Sequence, residues 1–126
     1  MRDPLRMAAK DELGRAGEQR AAEYLRYRGY TILDRNWRCA QGEIDIVAQR
    51  DGWLAIVEVK TRRSAAFGHP LEAIDARKRR RLWQLAYAWR AAHVDAATGL
   101  ALRLEAIGIT GPDAAQGVVD HLEDIA

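Results

Sequence analysis

The chain has 126 residues, of which 48% are apolar, so it can bury one hydrophobic core and suits a single domain over 1–126. Its 20 basic and 18 acidic residues give a net charge of only +2, yet five consecutive cations occupy 77–81, as expected for a local patch that meets phosphates. No segment approaches the roughly 18 to 20 apolar residues of a membrane span, and one cysteine excludes an internal disulfide. We therefore expect a cytoplasmic protein that does not act at a membrane.

The first half of the chain predicts one helix and three strands. Residues 1–8 are expected to be flexible, and from about Ala8 apolar residues recur at helical spacing until Gly29 ends the pattern. The segment 30–37 favours a strand, and a hairpin over 43–60 follows after a polar break. This half is therefore expected to be α-β-β-β.

The second half predicts a helix and two further strands. A loop over 61–70 precedes a helical pattern over 71–93, and strands are expected over 100–110 and 117–122. The complete order is α-β-β-β-α-β-β, an α/β fold with a mixed sheet of about five strands flanked by helices. An isolated hairpin is not stable, so helices should cover both faces of the apolar central strands.

The hairpin carries the most informative polar residues. Two β-branched runs flank Asp51-Gly52, a strong signal for a two-residue turn. Such a turn places Arg50 opposite Trp53, and counting back along both strands places Asp45 opposite Glu58. Like charges in directly opposed positions are destabilising, so a divalent cation is the simplest compensation.

The same register places Glu43 opposite Lys60 and, by alternation, on the face of the two carboxylates. One interpretation is a simple cross-strand ion pair between Glu43 and Lys60. The other is that Glu43 supports a metal site while Lys60 assists the chemistry.

These residue types suit the hydrolysis of a phosphodiester. Mg²⁺ or Mn²⁺ takes hard oxygen ligands, which Asp45, Glu58 and the backbone carbonyl of Val59 could supply. Lys60, two residues after Glu58, would place an ammonium near the attacking water or the scissile phosphate. The spacing predicts a metal-dependent phosphodiesterase site.

The chain resembles the YraN-like family of small bacterial proteins from about Gly14 to His121, and more distantly the PD-(D/E)XK nuclease superfamily. The segments that carry the resemblance are Gly17-Glu18, Asn36, Gly42 to Asp45, Val57 to Arg62, Phe67-Gly68 and Lys78. The resemblance implies a restriction endonuclease-like core. Ile44-Asp45 stands in place of the superfamily's Pro-Asp, which leaves the carboxylate in position.

Archaeal Holliday-junction resolvases are similar in having a further acid on the first helix. That similarity implies that Glu18 joins Asp45, Glu58 and Lys60 as a catalytic residue and contributes to the metal site. It also implies DNA as the partner, including branched repair or recombination intermediates. Because cutting both strands of a branch usually calls for two active sites, a homodimer is expected.

Basic residues after the hairpin and on the second helix are candidates for binding the nucleic-acid backbone. They are Arg62, Arg63, Lys78, Arg79 and Arg81. Lys78 falls in the middle of the helix face that should pack on the sheet. A lysine there must extend to water or find a partner, so it reaches either the carboxylates or a phosphate.

Two alternatives to an enzyme remain open. One is a nucleic-acid-binding module that keeps the fold and the cations but has no catalysis of its own. The other is a purely structural partner-binding protein. The complete set of Asp45, Glu58 and Lys60 argues against the structural protein. It also favours an enzyme over a binding module, because a module could lose a metal ligand at little cost.

Overall fold

The computed structural model describes residues 4–66 and 68–125, so Phe67, which belongs to the family resemblance, lies outside the described residues. The helices are α1 (Pro4–Tyr27), α2 (Ala76–Ala92) and the short α3 (Val94–Ala97). The strands are β1 (Thr31–Cys39), β2 (Gly42–Arg50), β3 (Trp53–Arg62), β4 (Ala101–Thr110) and β5 (Val118–Leu122). Two 3₁₀ turns, Pro70–Ala73 and Ala114–Gln116, complete the elements.

The described strands form one sheet in the order β1-β2-β3-β4-β5. The β3 and β4 strands are parallel and are joined by the α2 crossover, whereas the other neighbouring strands are antiparallel. The predicted order of elements and the predicted mixed sheet are confirmed. In the part of the chain described, no helix is long and apolar enough to cross a lipid bilayer.

Each face of the sheet has its own hydrophobic core. On one face α1 contributes Ala21, Ala22 and Leu25, which pack with inward residues of β2, β3 and β4. On the other face α2 contributes Leu82, Leu85, Ala86 and Trp89. Helices on both faces explain why β3 is apolar almost throughout.

The turn between β2 and β3 has the predicted two-residue form. Asp51 and Gly52 both have positive φ, 51° and 81°, as a type I′ turn requires. The predicted register is confirmed from Arg50 opposite Trp53 to Ile46 opposite Val57. The turn type matches the twist of the strands, so local sequence is sufficient to specify this part of the hairpin.

The helical pattern predicted over 71–93 divides into two elements. A 3₁₀ turn at Pro70–Ala73 comes first, and α2 begins at Ala76 after Asp75, whose side chain accepts from the Lys78 N–H. An aspartate at this capping position starts a new helix because it satisfies a free amide. The cap leaves Lys78 in the first turn of α2.

Gly17 allows α1 to approach β3 closely. A Cβ atom built on Gly17 would overlap Thr61 Oγ1 and lie 2.9 Å from Cγ2 and 3.0 Å from Cβ of the same threonine. Rotation of Thr61 cannot remove all of these contacts. The close approach brings the next residue, Glu18, to the end of the sheet.

We predict that Gly17→Ala lowers the free energy of unfolding by about 1–3 kcal/mol, because α1 must move away from Thr61. The matched control is Gly14→Ala, where a Cβ would meet nothing within 4 Å. That substitution should instead stabilise the protein by up to about 1 kcal/mol, since alanine favours the helix. Urea unfolding of both variants measures the difference, and two effects of the same sign would contradict the prediction.

Candidate active site

The regular pairing of β2 and β3 ends immediately before the candidate carboxylates. The last paired residues are Ile46 and Val57, and the Val59 N–H donates to Oδ2 of Asp45 at 2.8 Å. Ile44 packs in the core on the α2 side, whereas Ile46 packs on the α1 side. In a regular strand, residues i and i+2 share a face. Because Ile44 and Ile46 lie on opposite faces, the alternation is interrupted at Asp45. The predicted facing pair of Asp45 and Glu58 is therefore not part of the ladder, and the Asp45 side chain instead caps a backbone amide of β3.

Asn36 lies in β1 between two residues that are paired with β2 on either side of Asp45. Its φ of 53° is left-handed, a conformation that asparagine tolerates better than most residues. With the amide oriented to satisfy its neighbours, Nδ2 donates to Glu18 Oε1 at 2.7 Å and to Glu43 Oε1 at 3.0 Å. Asn36 thus connects Glu18 of α1 to Glu43 of β2.

Glu58 is held by two lysines. Glu58 is only 5% exposed, and its Oε1 lies 3.2 Å from Lys60 Nζ and 3.2 Å from Lys78 Nζ. Lys60 comes from the same strand, and Lys78 comes from the first turn of α2. A buried carboxylate requires such compensation. Of the two open interpretations of Lys78, the structure supports contact with the carboxylates.

Glu43 does not pair with Lys60 as the predicted register implied. It forms an ion pair with Arg38 of β1, with Oε2 3.5 Å from Nε, in addition to its contact with Asn36. The physical reason is the interruption at Asp45, since the register that would place Glu43 opposite Lys60 does not continue past it.

Burial and mutual repulsion raise the pKa of two of the acids, Asp45 and Glu18. Burial, followed by the charge of Glu58, raises the pKa of Asp45 from 3.8 to about 7, although the hydrogen bond from Val59 opposes the rise. Burial also raises the pKa of Glu18, with repulsion from Glu43 and Glu58 adding to it and Arg35 opposing it. Four carboxylates therefore share one electrostatic environment.

We predict that Asp45→Asn stabilises the metal-free protein at pH 8 by about 1–3 kcal/mol. The ionised form of Asp45 is disfavoured in the folded state, so its penalty is absent below pH 4, grows between pH 4 and 7 and is complete above 7. Asparagine removes the charge but keeps an oxygen for the Val59 N–H. Thermal unfolding in EDTA at pH 4 and pH 8 measures the effect, and a gain of equal size at both values would contradict it.

A basic cleft of about 500 Å³ lies beside the acids, at the start of α2. Its lining residues are Ala73, Asp75, Arg77, Lys78, Arg80, Arg81 and Gln84. Lys78 and Arg81 also line the smaller cleft that contains Glu43, Asp45 and Glu58. Two cations are therefore common to the basic cleft and to the cleft of the carboxylates.

The predicted backbone-binding residues divide between this cleft and other positions. Lys78 and Arg81 line the cleft, whereas Arg79 Nη1 donates to the Ile74 carbonyl at 3.4 Å. Arg62 donates to the carbonyl of Thr61 at 3.2 Å, and Arg63 is exposed after β3. Arg77 and Arg80 also line the cleft but were not predicted as individual contacts, because helix phase alone does not show which arginines share a surface.

A second polar cluster surrounds Glu105 in β4, which is 0% exposed. Its Oε1 accepts from Tyr30 Oη at 2.8 Å and lies 2.7 Å from His121 Nε2, and its Oε2 accepts from Arg103 Nε at 3.1 Å. Burial and the bond to Glu105 raise the pKa of Tyr30 above its ordinary value, so Tyr30 remains a donor. Sequence patterns alone did not predict this cluster, although a glutamate between Leu104 and Ala106 of an apolar strand was a usable signal.

The candidate site supplies hard oxygen donors of the kind that Mg²⁺ and Mn²⁺ prefer. Glu18, Asp45 and Glu58 fit this chemistry, and the pKa of Asp45 is raised first by burial and then by the charge of Glu58, both of which a bound cation would offset. Among residues 4–66 and 68–125, no three acidic, histidine or cysteine side chains are gathered as a metal-binding group. In this structure Lys60 and Lys78 compensate the charge of Glu58. The fit to Mg²⁺ or Mn²⁺ therefore rests on the carboxylate oxygens as donors and on their negative charge.

The fold and this site define an α/β domain with an acidic cluster beside a basic cleft. The chain matches the model of the uncharacterised protein family UPF0102 over residues 17–109 and belongs to that family. A UPF0102 protein of Arthrobacter sp. (strain FB24) is 47% identical over 119 residues, which cover 94% of this chain and 99% of the relative. One from Clavibacter michiganensis subsp. michiganensis is 44% identical over 114 residues, covering 90% and 95% respectively.

Proposed function

We propose that the protein is a metal-dependent endonuclease that hydrolyses phosphodiesters in DNA. The observation that carries the proposal is that the basic cleft and the cleft of the carboxylates share two cationic lining residues. Lys78 and Arg81 line both the surface that contains Asp45 and Glu58 and the basic cleft at the start of α2. A DNA backbone bound to the cations would bring its phosphates to the acids.

In this proposal each side chain has a distinct part. Asp45, Glu58 and Glu18 would hold Mg²⁺ or Mn²⁺, together with the Val59 carbonyl. The cation, when bound, would activate the attacking water and offset the charge of the leaving oxygen. Lys60 would hold the scissile phosphate or orient the water, because its ammonium lies in the same cluster. Asn36 and Glu43 would keep Glu18 in position.

The resemblance to PD-(D/E)XK nucleases and Holliday-junction resolvases supports the same proposal. The resemblance implies that the acid of the first helix, the aspartate of one strand and the Glu-x-Lys of the next strand act together. Here Asn36 connects Glu18 to β2, and Glu58 and Lys60 are neighbours on β3. Branched repair or recombination intermediates are the proposed substrates, and a homodimer would supply the two sites that such substrates require.

A nucleic-acid-binding module without catalysis is the second candidate. The observation in its favour is that Lys60 and Lys78 already neutralise Glu58, so the folded protein does not depend on a metal for that charge. In this case the basic cleft would bind DNA equally well with or without a divalent cation.

The experiment is a cleavage assay with purified protein and labelled duplex, flap, four-way junction and single-stranded DNA and RNA. Each substrate is incubated with Mg²⁺, Mn²⁺ or EDTA, alongside Asp45→Asn and Glu58→Gln. We expect cleavage that requires a cation and is lost in both variants. DNA binding without cleavage or cation binding would support the module instead, and equal cleavage by all three proteins would indicate a contaminating nuclease.

A further inference from the structure

Lys78 occupies the boundary between the acids and the basic cleft. Its Nζ lies 3.2 Å from Glu58 Oε1, while its side chain also lines the cleft with Arg77 and Arg80. At 30% exposure the side chain is neither buried nor fully in water. The ammonium therefore has two sets of anions within the range of one flexible stem, the carboxylate cluster and any phosphate in the cleft.

The contact with Glu58 is redundant in charge. Lys60 lies at the same distance, 3.2 Å, from the same oxygen, so two ammonium groups serve one carboxylate oxygen. A divalent cation that takes Glu58 as a ligand would add further positive charge beside both lysines. One ammonium would then be repelled, and the one with another anion available would leave at lower cost.

We propose that Lys78 exchanges partners, neutralising Glu58 when the site holds no divalent cation and binding a DNA phosphate when the cation takes Glu58. The inference rests on the proposed function, because it uses the same metal and substrate. Its consequence is thermodynamic coupling between the two ligands. The cation releases Lys78 for DNA. DNA that binds Lys78 in turn removes the ammonium that competes with the cation for Glu58.

Lys60 is less suited to such an exchange. It is two residues from Glu58 on the same strand, and it does not line the basic cleft. Lys78 is in the first turn of α2, where the Asp75 cap fixes its backbone while the long side chain can turn. The exchange therefore requires only side-chain rotation, with the helix and the sheet unchanged.

The first test is the affinity for Mn²⁺ without DNA, measured by titration calorimetry on wild type, Lys78→Met and Arg81→Met. Arg81 is the matched control because it lines the same two clefts as Lys78. Arg81→Met therefore removes one positive charge from the same surface as Lys78→Met does. We expect Lys78→Met to bind Mn²⁺ about fivefold more tightly and Arg81→Met to stay within about twofold of wild type. Equal changes in both variants would overturn the proposal.

The second test is DNA affinity, measured by fluorescence anisotropy with a labelled duplex in Ca²⁺ or EDTA. We expect Ca²⁺ to tighten binding by wild type about fivefold or more, and to have little effect on Lys78→Met. Arg81→Met should bind more weakly in both conditions and keep the gain from Ca²⁺. A full gain in Lys78→Met would overturn the exchange.

A third measurement uses only wild type and so does not depend on the folding of a variant. The ammonium signal of Lys78 in side-chain nitrogen NMR should shift on addition of Mg²⁺, and an unchanged signal in protein that binds Mg²⁺ would overturn the proposal.

A cleavage assay on wild type and Lys78→Met separates the exchange of Lys78 from the proposed endonuclease function. Wild type that binds the cation and cuts DNA, with Lys78→Met unchanged in both affinities, overturns the exchange alone, whereas no cation binding overturns both.

Discussion

Lys60→Met is expected to lower the rate of metal-dependent DNA cleavage by about 10²–10³-fold, the usual effect of removing one charge-stabilising donor. The ammonium lies beside Glu58 at the open end of the β2 and β3 ladder, where the proposed cation and phosphate meet. Methionine keeps much of the length of the side chain, so packing should change little. Single-turnover cleavage of a labelled duplex in Mg²⁺ measures the rate.

The affinity for Mn²⁺ distinguishes a chemical role for Lys60 from a structural one. A lysine that acts on the phosphate or water can be lost without weaker metal binding, whereas one that only maintains the fold cannot. Arg90→Met, at the opposite end of α2, removes a cation away from the acids and should cleave at the wild-type rate. Cleavage by Lys60→Met within about threefold of wild type would remove Lys60 from the mechanism.

Glu105→Ala should lower the free energy of unfolding by about 3–5 kcal/mol, the largest stability effect expected in this chain. The carboxylate is fully buried and connects Tyr30, His121 and Arg103. Without it the Arg103 guanidinium, whose side chain is only 14% exposed, loses its ion pair. Chemical denaturation at pH 7 measures the change.

The control for Glu105 is an exposed acid on α1. Glu12→Ala removes the same charge from the surface and should change stability by less than about 0.5 kcal/mol. Glu105→Gln should be intermediate, because the amide oxygen still accepts a hydrogen bond while the charge opposite Arg103 is lost. A loss below about 1 kcal/mol in Glu105→Ala would show that water or rearrangement replaces the buried cluster.

The hairpin shows how far local sequence predicts this fold. Asp51-Gly52 specifies a turn whose backbone is set by two positive φ values, and the β-branched runs on either side specify the strands. The register over 46–50 and 53–57 follows from the turn and is observed. Predictions of this kind succeed because the interactions that decide them lie within a few residues.

The interruption at Asp45 could not be predicted in the same way. Its side chain takes the Val59 amide, and the neighbouring strand adapts through the left-handed Asn36. Asn36 also contacts Glu18 of α1, and the neighbouring Gly17 packs so close to Thr61 of β3 that a Cβ there would overlap it. A counting rule assumes a regular ladder, so it placed Asp45 and Glu58 close together but assigned them the wrong geometry.

By itself the sequence determined the order of elements, the mixed sheet and the membership of Asp45, Glu58 and Lys60 in one polar group. Periodicity and turn residues are local properties, and they suffice for these features. Only the tertiary structure decided that Lys78 contacts Glu58, that Arg77 and Arg80 line the cleft, and that Glu105 is buried with three partners. Contacts between distant segments depend on the packing angle of helices on the sheet, which no short stretch of sequence encodes.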